Sequence, residues 1–170
     1  MAKCYAPKIK KEMAKLENKG EIQTVPSLKG AYALLILLSK PFNRNIGALG
    51  LVSLVPGFYL YAGNAYGNGG IRARILRHLR PKKSFHWHVD SLTEYGNIIK
   101  ILSVPFGQEC NLVKLVQSTT DATNPIPKFG STDCQNCPSH LLFIPAHKTQ
   151  FLKKIEHQVR GDIFSPPFGF

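Results

Sequence analysis

Residues 57–78 bring together the side-chain types that a phosphate-handling site requires. The stretch reads GFYLYAGNAYGNGGIRARILRH, so aromatic residues come first, glycine and asparagine crowd the middle, and arginines follow. A phenol can orient or deprotonate a water molecule, and a guanidinium group can neutralise phosphate oxygens. The flexible turn between them would allow both kinds of group to face one centre. This combination predicts chemistry on a phosphate group.

A strand must position the two tyrosines that precede the turn. Tyr59 and Tyr61 alternate with the apolar residues Phe58, Leu60 and Ala62. Because successive side chains of a strand point to opposite faces, both phenols would share the face opposite the apolar set. The sequence therefore predicts two tyrosines on one side of a sheet.

A helix must position the cations that follow the turn. Asn68 or a neighbouring glycine can cap it. Arg74, Arg77 and His78 fall on one helical face, next to a face of apolar residues at i, i+4 and i+8. The apolar residues are Ile71, Ile75 and Leu79. The helix is thus expected to pack on one side and to present cations on the other.

The order of these motifs resembles the GIY-YIG nuclease superfamily. The resembling positions, in chain order, are Gly30, Ala31, Tyr32, Tyr61, Ala62, Gly63, Ile71, Arg74 and His78. Each tripeptide differs from the superfamily pattern in one letter, with GAY for GIY and YAG for YIG. Within the superfamily the chain is most similar to a small prokaryotic domain of unknown function, sometimes fused to endonuclease III. The similarity covers roughly residues 29–145 and is an analogy of motifs.

The resemblance implies an α+β domain in which helices flank a small, mostly antiparallel sheet. It implies hydrolysis of a nucleic-acid phosphodiester, with Glu109 holding one magnesium or manganese ion and Arg74 neutralising the developing charge. Tyr32 or Tyr61 would orient or deprotonate the attacking water, and His78 would assist proton transfer or position a phenol. A free phenol titrates near pH 10, so a tyrosine base would need neighbouring cations to lower its pKa.

Glu109 owes its implied role to its place along the chain. It is the acidic residue on the helix that follows the strand after the arginine helix, whereas Asp90 and Glu94 come earlier and Asp133 later. Magnesium takes oxygen ligands and keeps most of its waters, so one carboxylate plus phosphate oxygens suffices. The alternative is a structural role, because a carboxylate in the first turn of a helix is favoured by the helix dipole.

A second group of residues has metal-ligand spacing. Cys134, Cys137 and His140 follow a Cys-x2-Cys-x2-His pattern, and Cys110 is a candidate fourth ligand. Three soft ligands in a short turn suit a structural zinc ion. The alternative is that these cysteines are reduced thiols that pack as small apolar residues.

The charge of the chain indicates an acidic partner. Its formal net charge is +12 and its isoelectric point is about 9.7. Nucleic acid and anionic membrane surfaces are the usual partners of such proteins, and the resemblance favours DNA, with RNA left open. The candidate nucleic-acid-binding residues are Arg72, Arg77, Arg80, Lys82 and Lys83. Arg77 has no place in the superfamily motif, so only a binding role is expected of it.

The remaining patterns predict the order of elements. Strands are expected over 30–38, 51–55 and 58–63, forming a three-stranded meander with a hairpin connection at 41–50. Further strands at 98–104 and 141–144 enclose a helix at 108–116, with a loop-like segment between. If residues 85–90 are extended, His86 and His88 share one face and could act as ligands. The alternative is that they bond to nearby backbone.

We expect one globular domain with short extensions. We expect a basic extension over residues 1–28, with a helix at 8–19. The nuclease-like domain is expected over residues 29–146, and a terminal helix and tail over 147–170. No apolar run reaches the 18 or so residues of a membrane span, and no signal-peptide segment is evident. A cytoplasmic protein is therefore expected. Two competing classes are a non-catalytic nucleic-acid-binding module and a domain that binds proteins or small molecules.

Overall fold

The computed structural model describes residues 25–148, helical residues 151, 154, 155 and 158, and strand residues 162–164. Within these residues the fold is α+β, as predicted. One sheet has five strands in the order β6-β4-β1-β5-β7, all paired antiparallel. Its strands are β1 Gly30–Leu38, β4 Gly57–Asn64, β5 Asn97–Pro105, β6 Leu141–Ile144 and β7 Asp162–Phe164. A separate hairpin is formed by β2 Phe42–Asn45 and β3 Leu51–Leu54, and the helices are α1 Gly70–Leu79, α2 His88–Tyr95 and α3 Glu109–Thr119.

The predicted three-stranded meander is wrong, because β3 pairs with β2 and joins no other strand of the described residues. Both edges of β4 are occupied, one by β1 and the other by β6. The central strand β1 pairs on its free side with the nine-residue β5, which comes much later in the chain. A long apolar strand buries more surface than the short, half-exposed β3, so the non-local pairing wins.

The predicted alternation in β4 is confirmed, and it divides the core in two. Tyr59 and Tyr61 lie in the cluster under α1 and α2, together with Tyr32 of β1. Leu60 and Ala62 lie in the cluster on the opposite face, where α3 packs. The sheet is therefore covered on both faces, and the tyrosines share the face of the arginine helix.

The helices bury the residues that their spacing indicates. Ile71 and Ile75 of α1 are fully buried, and Leu79 packs partly buried against the same cluster. Of the predicted terminal helix, Phe151 and Ile155 are buried, whereas Val159 lies outside the described residues. The helix predicted at 8–19 and the tail after residue 164 also lie outside them. None of the helices among the described residues is long and apolar enough to cross a membrane.

Candidate active site

A cleft of about 990 Å³ opens where the end of β4, the first turn of α3 and the loop before β6 meet. Tyr61 forms part of its floor, and Glu109 and His140 line the walls. Asn64, at the end of β4, donates a hydrogen bond from Nδ2 to Glu109 Oε1 at 3.2 Å. The cleft thus brings the YAG segment and the predicted metal-binding glutamate together.

Behind Tyr61 lies a buried pair formed by Tyr32 and His78. The Tyr32 hydroxyl is 2.6 Å from His78 Nε2, and each residue is at most 2% exposed. Gly63 lies opposite Tyr32 in the β1–β4 register, and a Cβ at Gly63 would come within 2.5 Å of the Tyr32 ring. The missing side chain at Gly63 therefore leaves space for the Tyr32 ring to lie over the neighbouring strand β4.

His78 is neutral at neutral pH. Burial, reinforced by the charge of Lys83, lowers its pKa to about 3. Its Nδ1 lies 3.7 Å from Asp90 Oδ1 and has no hydrogen-bond partner among the described residues. The carboxylate favours the tautomer with the proton on Nδ1, so Nε2 accepts from the Tyr32 hydroxyl. His78 is therefore placed to orient Tyr32 rather than to donate a proton.

Asp90 is the fully buried hub behind this pair. Arg77 donates two hydrogen bonds to its carboxylate, from Nη1 at 2.7 Å and from Nη2 at 2.9 Å. The backbone N–H groups of His86 and Trp87 donate to the same carboxylate. Burial alone would raise the pKa of Asp90, but the bonds from Arg77, Trp87 and His86 outweigh it and lower the pKa. Arg77 is thus paired with a buried carboxylate, and its charge is largely withdrawn from solvent.

Arg74 and Arg77 stack on the Trp87 ring. The Arg74 Cζ lies 4.4 Å from the ring centroid, and the Arg77 Cζ lies 3.9 Å from it. Arg74 forms no ion pair within the part of the chain that the structure describes, so its charge is held by the indole without being neutralised. An unneutralised guanidinium stacked on Trp87, which lines the cleft, is available to an anion.

Tyr61 lies within the electrostatic reach of both charged motif residues. Burial raises the pKa of Tyr61, as do the charges of Asp90 and Glu109, whereas the charge of Arg74 lowers it. Burial likewise raises the pKa of Tyr32. At both tyrosines desolvation outweighs the lowering effect of the arginines. Both phenols are neutral hydrogen-bonding groups.

The cysteines and histidine with metal-ligand spacing converge beside the cleft. The ligand atoms of Cys110, Cys134, Cys137 and His140 all lie within 4.8 Å of one another. Cys110 Sγ is 3.4 Å from Cys134 Sγ and 3.7 Å from His140 Nε2. A tetrahedral zinc site with 2.3 Å bonds to sulfur has ligand separations of about 3.8 Å. Burial lowers the pKa of His140, so its ring is neutral and can ligate. The group could hold a metal ion.

His86 and His88 do not form the extended pair that alternation would give. His86 lies in the loop before α2, and His88 is the first residue of that helix. The backbone N–H of Gly130 donates to His88 Nδ1 at 3.0 Å, which is the backbone-bonding alternative for this residue. Helix α2 begins here because the Asp90 carboxylate accepts a hydrogen bond from the backbone N–H of Trp87, so residues 85–90 do not form a continuous extended segment.

The candidate nucleic-acid-binding residues divide into two groups. Arg80 and Lys82 are exposed, and Arg72 is half-buried. Lys83 instead donates to the His78 carbonyl and to Thr93 Oγ1, and its burial lowers its pKa to about 8. Together with Arg77, Lys83 is engaged in packing α1 against α2, which leaves exposed Arg80 and Lys82, with half-buried Arg72, as the cations of this set that solvent can reach.

Residues 31–161 match the model of a family described as Domain of unknown function DUF123. The chain belongs to that family. No curated protein and no solved structure matches the chain. The matched region contains every candidate site residue named above.

Three further residues support the candidate site, and none of them was predicted as a site residue. Asp90 organises the buried network, Trp87 carries Arg74, and Asn64 holds Glu109. Residues 86–90, which read HWHVD, carried one signal, because an aspartate at the third position of a helix often caps its first turn. The contact between Asn64 and Glu109 joins elements far apart in sequence and had no local signal.

Acidification should destabilise this DUF123 protein through His78. The pKa of His78 in the folded protein is about 3, below the ordinary value of 6.5. Between pH 3 and pH 6.5, therefore, His78 binds a proton in the unfolded chain but not in the folded protein. The free energy of unfolding should therefore fall with decreasing pH, by at most about 1.4 kcal/mol per pH unit for this group. Urea denaturation at about pH 7 and pH 5 measures the slope.

The control for this prediction is His78→Gln. The slopes from His88 and His140, whose pKa values burial also lowers, are common to both proteins. The variant should therefore lose only the His78 part of the pH dependence. An identical slope in both proteins would mean that His78 is not a buried neutral group.

Proposed function

We propose that this DUF123 protein is a divalent-metal-dependent nucleic-acid endonuclease of the GIY-YIG type, acting on DNA. The observation that carries the proposal is the placement of Tyr61. It lines the cleft, and its hydroxyl experiences the charges of both Arg74 and Glu109. These are the two charged residues that the resemblance assigns to the chemistry, and they come from different helices. Because the charges of both residues act on one phenol, we assign them a common role.

The cleft offers one protein ligand to a hard cation. Glu109 offers a half-exposed carboxylate in the first turn of α3, which is an oxygen ligand facing the cleft. One carboxylate suffices for magnesium or manganese if waters and phosphate oxygens complete the coordination. When bound, such an ion would polarise the scissile phosphate and lower the pKa of coordinated water.

The side chains of the protein would then divide the remaining tasks. The attacking water oxygen bonds to phosphorus as the bond from phosphorus to one sugar oxygen breaks. The proton that the water loses passes to bulk solvent, and the leaving sugar oxygen takes a proton from solvent. Arg74, which has no carboxylate partner among the described residues, neutralises charge that develops on the phosphate oxygens. Tyr61 is neutral, so it holds the water or a phosphate oxygen by hydrogen bonding. The Tyr32–His78 pair packs behind Tyr61, where it fixes that ring.

We infer that the metal of the Cys110, Cys134, Cys137 and His140 group is zinc with a structural role. Three thiolates and one imidazole form a closed set of soft ligands, which is the composition of structural zinc sites. Cys110 directly follows Glu109 in α3, and the backbone N–H of Ala62 donates to the His140 carbonyl at 3.0 Å. A zinc ion here would therefore tie α3, β4 and the loop into one wall of the cleft.

The endonuclease proposal predicts nicking of supercoiled plasmid or cleavage of branched DNA when magnesium or manganese is added. The comparison should omit the divalent ion rather than chelate it, because a chelator would also remove zinc. We expect binding in both buffers and cleavage in one, measured by gel electrophoresis. Tight binding without cleavage would favour the non-catalytic nucleic-acid-binding module. If the protein neither bound nor cleaved DNA, the remaining hypothesis would be a domain that binds proteins or small molecules.

A further inference from the structure

Phe106 occupies a backbone position that normally belongs to glycine. It is the third residue of a turn in which the N–H of Gly107 donates to the carbonyl of Val104 at 3.0 Å. Pro105 stands at the second position, and φ of Phe106 is 61°. Turns with a positive φ at the third position strongly favour glycine or asparagine. A bulky aromatic residue is strained there.

Burial does not offset this strain. The Phe106 side chain is 73% exposed, the largest value among the exposed large apolar residues of the described chain. Burial of an aromatic ring would ordinarily justify an unfavourable backbone conformation, but here the ring faces solvent. Strain that is retained without a packing benefit indicates a ligand that contacts the ring.

The turn is firmly held by its surroundings. The N–H of Phe106 donates to the Lys29 carbonyl at 2.8 Å. The Tyr66 hydroxyl lies 3.1 Å from the Phe106 carbonyl oxygen and 2.9 Å from that of Gly107, so it donates between the two. Tyr66 is itself 45% exposed and lines the cleft. The exposed Phe106 ring therefore projects from a fixed turn, and the hydroxyl of a second exposed aromatic residue holds the backbone of that turn.

The turn lies close in the chain to the proposed metal ligand. Phe106 precedes Glu109 by three residues, and three consecutive Cα–Cα steps span at most about 11 Å. With a rise of about 3.4 Å per nucleotide along one strand, that distance corresponds to about three nucleotides. Exposed Lys29 lies beside the turn, and the chain has a net charge of +12, so a polyanion is the partner that the charge favours.

We propose that Phe106, with Tyr66 beside it, stacks on an unpaired or displaced base within about three nucleotides of the scissile phosphate. The inference rests on the proposed nuclease function and narrows its substrate class to nucleic acid with unpaired or distorted base pairs. Aromatic side chains stack on bases of any sequence, and apolar rings can also wedge between base steps. A fully paired duplex offers no free base face to such a ring.

The test measures binding in magnesium-free buffer to a labelled duplex and to the same duplex with a central unpaired bubble. Wild-type protein should bind the bubble about tenfold more tightly, within the range of one aromatic–base stack. Phe106→Asn should lose that preference and keep its affinity for duplex. Since asparagine tolerates a positive φ, the variant should fold with an unchanged or higher Tm.

Two further variants serve as controls. Phe106→Trp retains a ring and should retain the preference for the bubble. Leu51→Asn removes another exposed apolar side chain, 68% exposed on the separate hairpin, and should change neither affinity. A preference for the bubble that survives in Phe106→Asn would overturn the stacking inference alone, as would an equal loss for both DNAs. Failure of the wild-type protein to bind either DNA would overturn the nuclease proposal together with it.

Discussion

Arg74→Ala and Glu109→Gln proteins should each lose at least about 100-fold of the cleavage rate while remaining folded. Loss of one group that stabilises transition-state charge typically lowers a rate by about 100-fold to 1,000-fold, and loss of the carboxylate that fixes the cation should do the same. Neither side chain is part of the core. Arg74 contacts the face of Trp87, and Glu109 accepts a hydrogen bond from exposed Asn64. Single-turnover cleavage assays and thermal melts measure the two effects.

The matched control is Arg72→Ala, because Arg72 lies on the same helix, carries the same charge and is half-buried like Arg74. It should bind nucleic acid somewhat more weakly and cleave at a nearly unchanged rate. Arg77→Ala is unsuitable, since removing one partner of the buried Arg77–Asp90 pair would cost about 3–5 kcal/mol of stability. If Arg72→Ala were as inactive as Arg74→Ala, helix α1 would be a general electrostatic surface and the nuclease assignment of Arg74 would fail.

Local patterns were sufficient for the elements that carry the site. The alternation of Tyr59 and Tyr61 with Leu60 placed both phenols on one face, and the spacing of Ile71 and Ile75 gave the buried side of α1. Periodicity depends on backbone geometry that each element has by itself. That is why faces could be assigned before the fold was known.

Interactions between distant elements could not be read in this way. The buried hub at Asp90 depends on Arg77 approaching from another helix, and the choice of β5 over β3 as the neighbour of β1 depends on burial across the whole sheet. Burial also sets the direction of the pKa shift at Tyr61, and desolvation is a property of the folded interior that the sequence does not display. Phe106 gave no sequence signal, since its importance lies in a backbone angle that phenylalanine rarely adopts.

Removal of zinc should lower the stability of the protein more than any single surface substitution. Formation of a Cys3His site contributes directly to folding, because the four ligands are brought together only in the folded chain. We expect a loss of several kcal/mol, and in a domain of this size about 1 kcal/mol shifts Tm by about 2–4 °C. A decrease in Tm of about 10 °C should follow treatment with a zinc chelator. Protein prepared without chelator should contain about one equivalent of zinc, measured by elemental analysis.

Cys134→Ser tests the same site genetically, because Cys134 is only partly buried and its truncation removes little packing. The variant should lose zinc, and its Tm should no longer respond to the chelator. Cys4→Ser is the control, since Cys4 is the one cysteine of the sequence that is not among the proposed ligands, and this variant should keep both the zinc and the response. Cobalt substitution gives an independent readout, as thiolate ligands produce a charge-transfer band that Cys134→Ser should weaken. Zinc-free protein with an unaltered Tm in chelator would identify the group as packed thiols, with Cys110 and Cys134 merely neighbours at 3.4 Å.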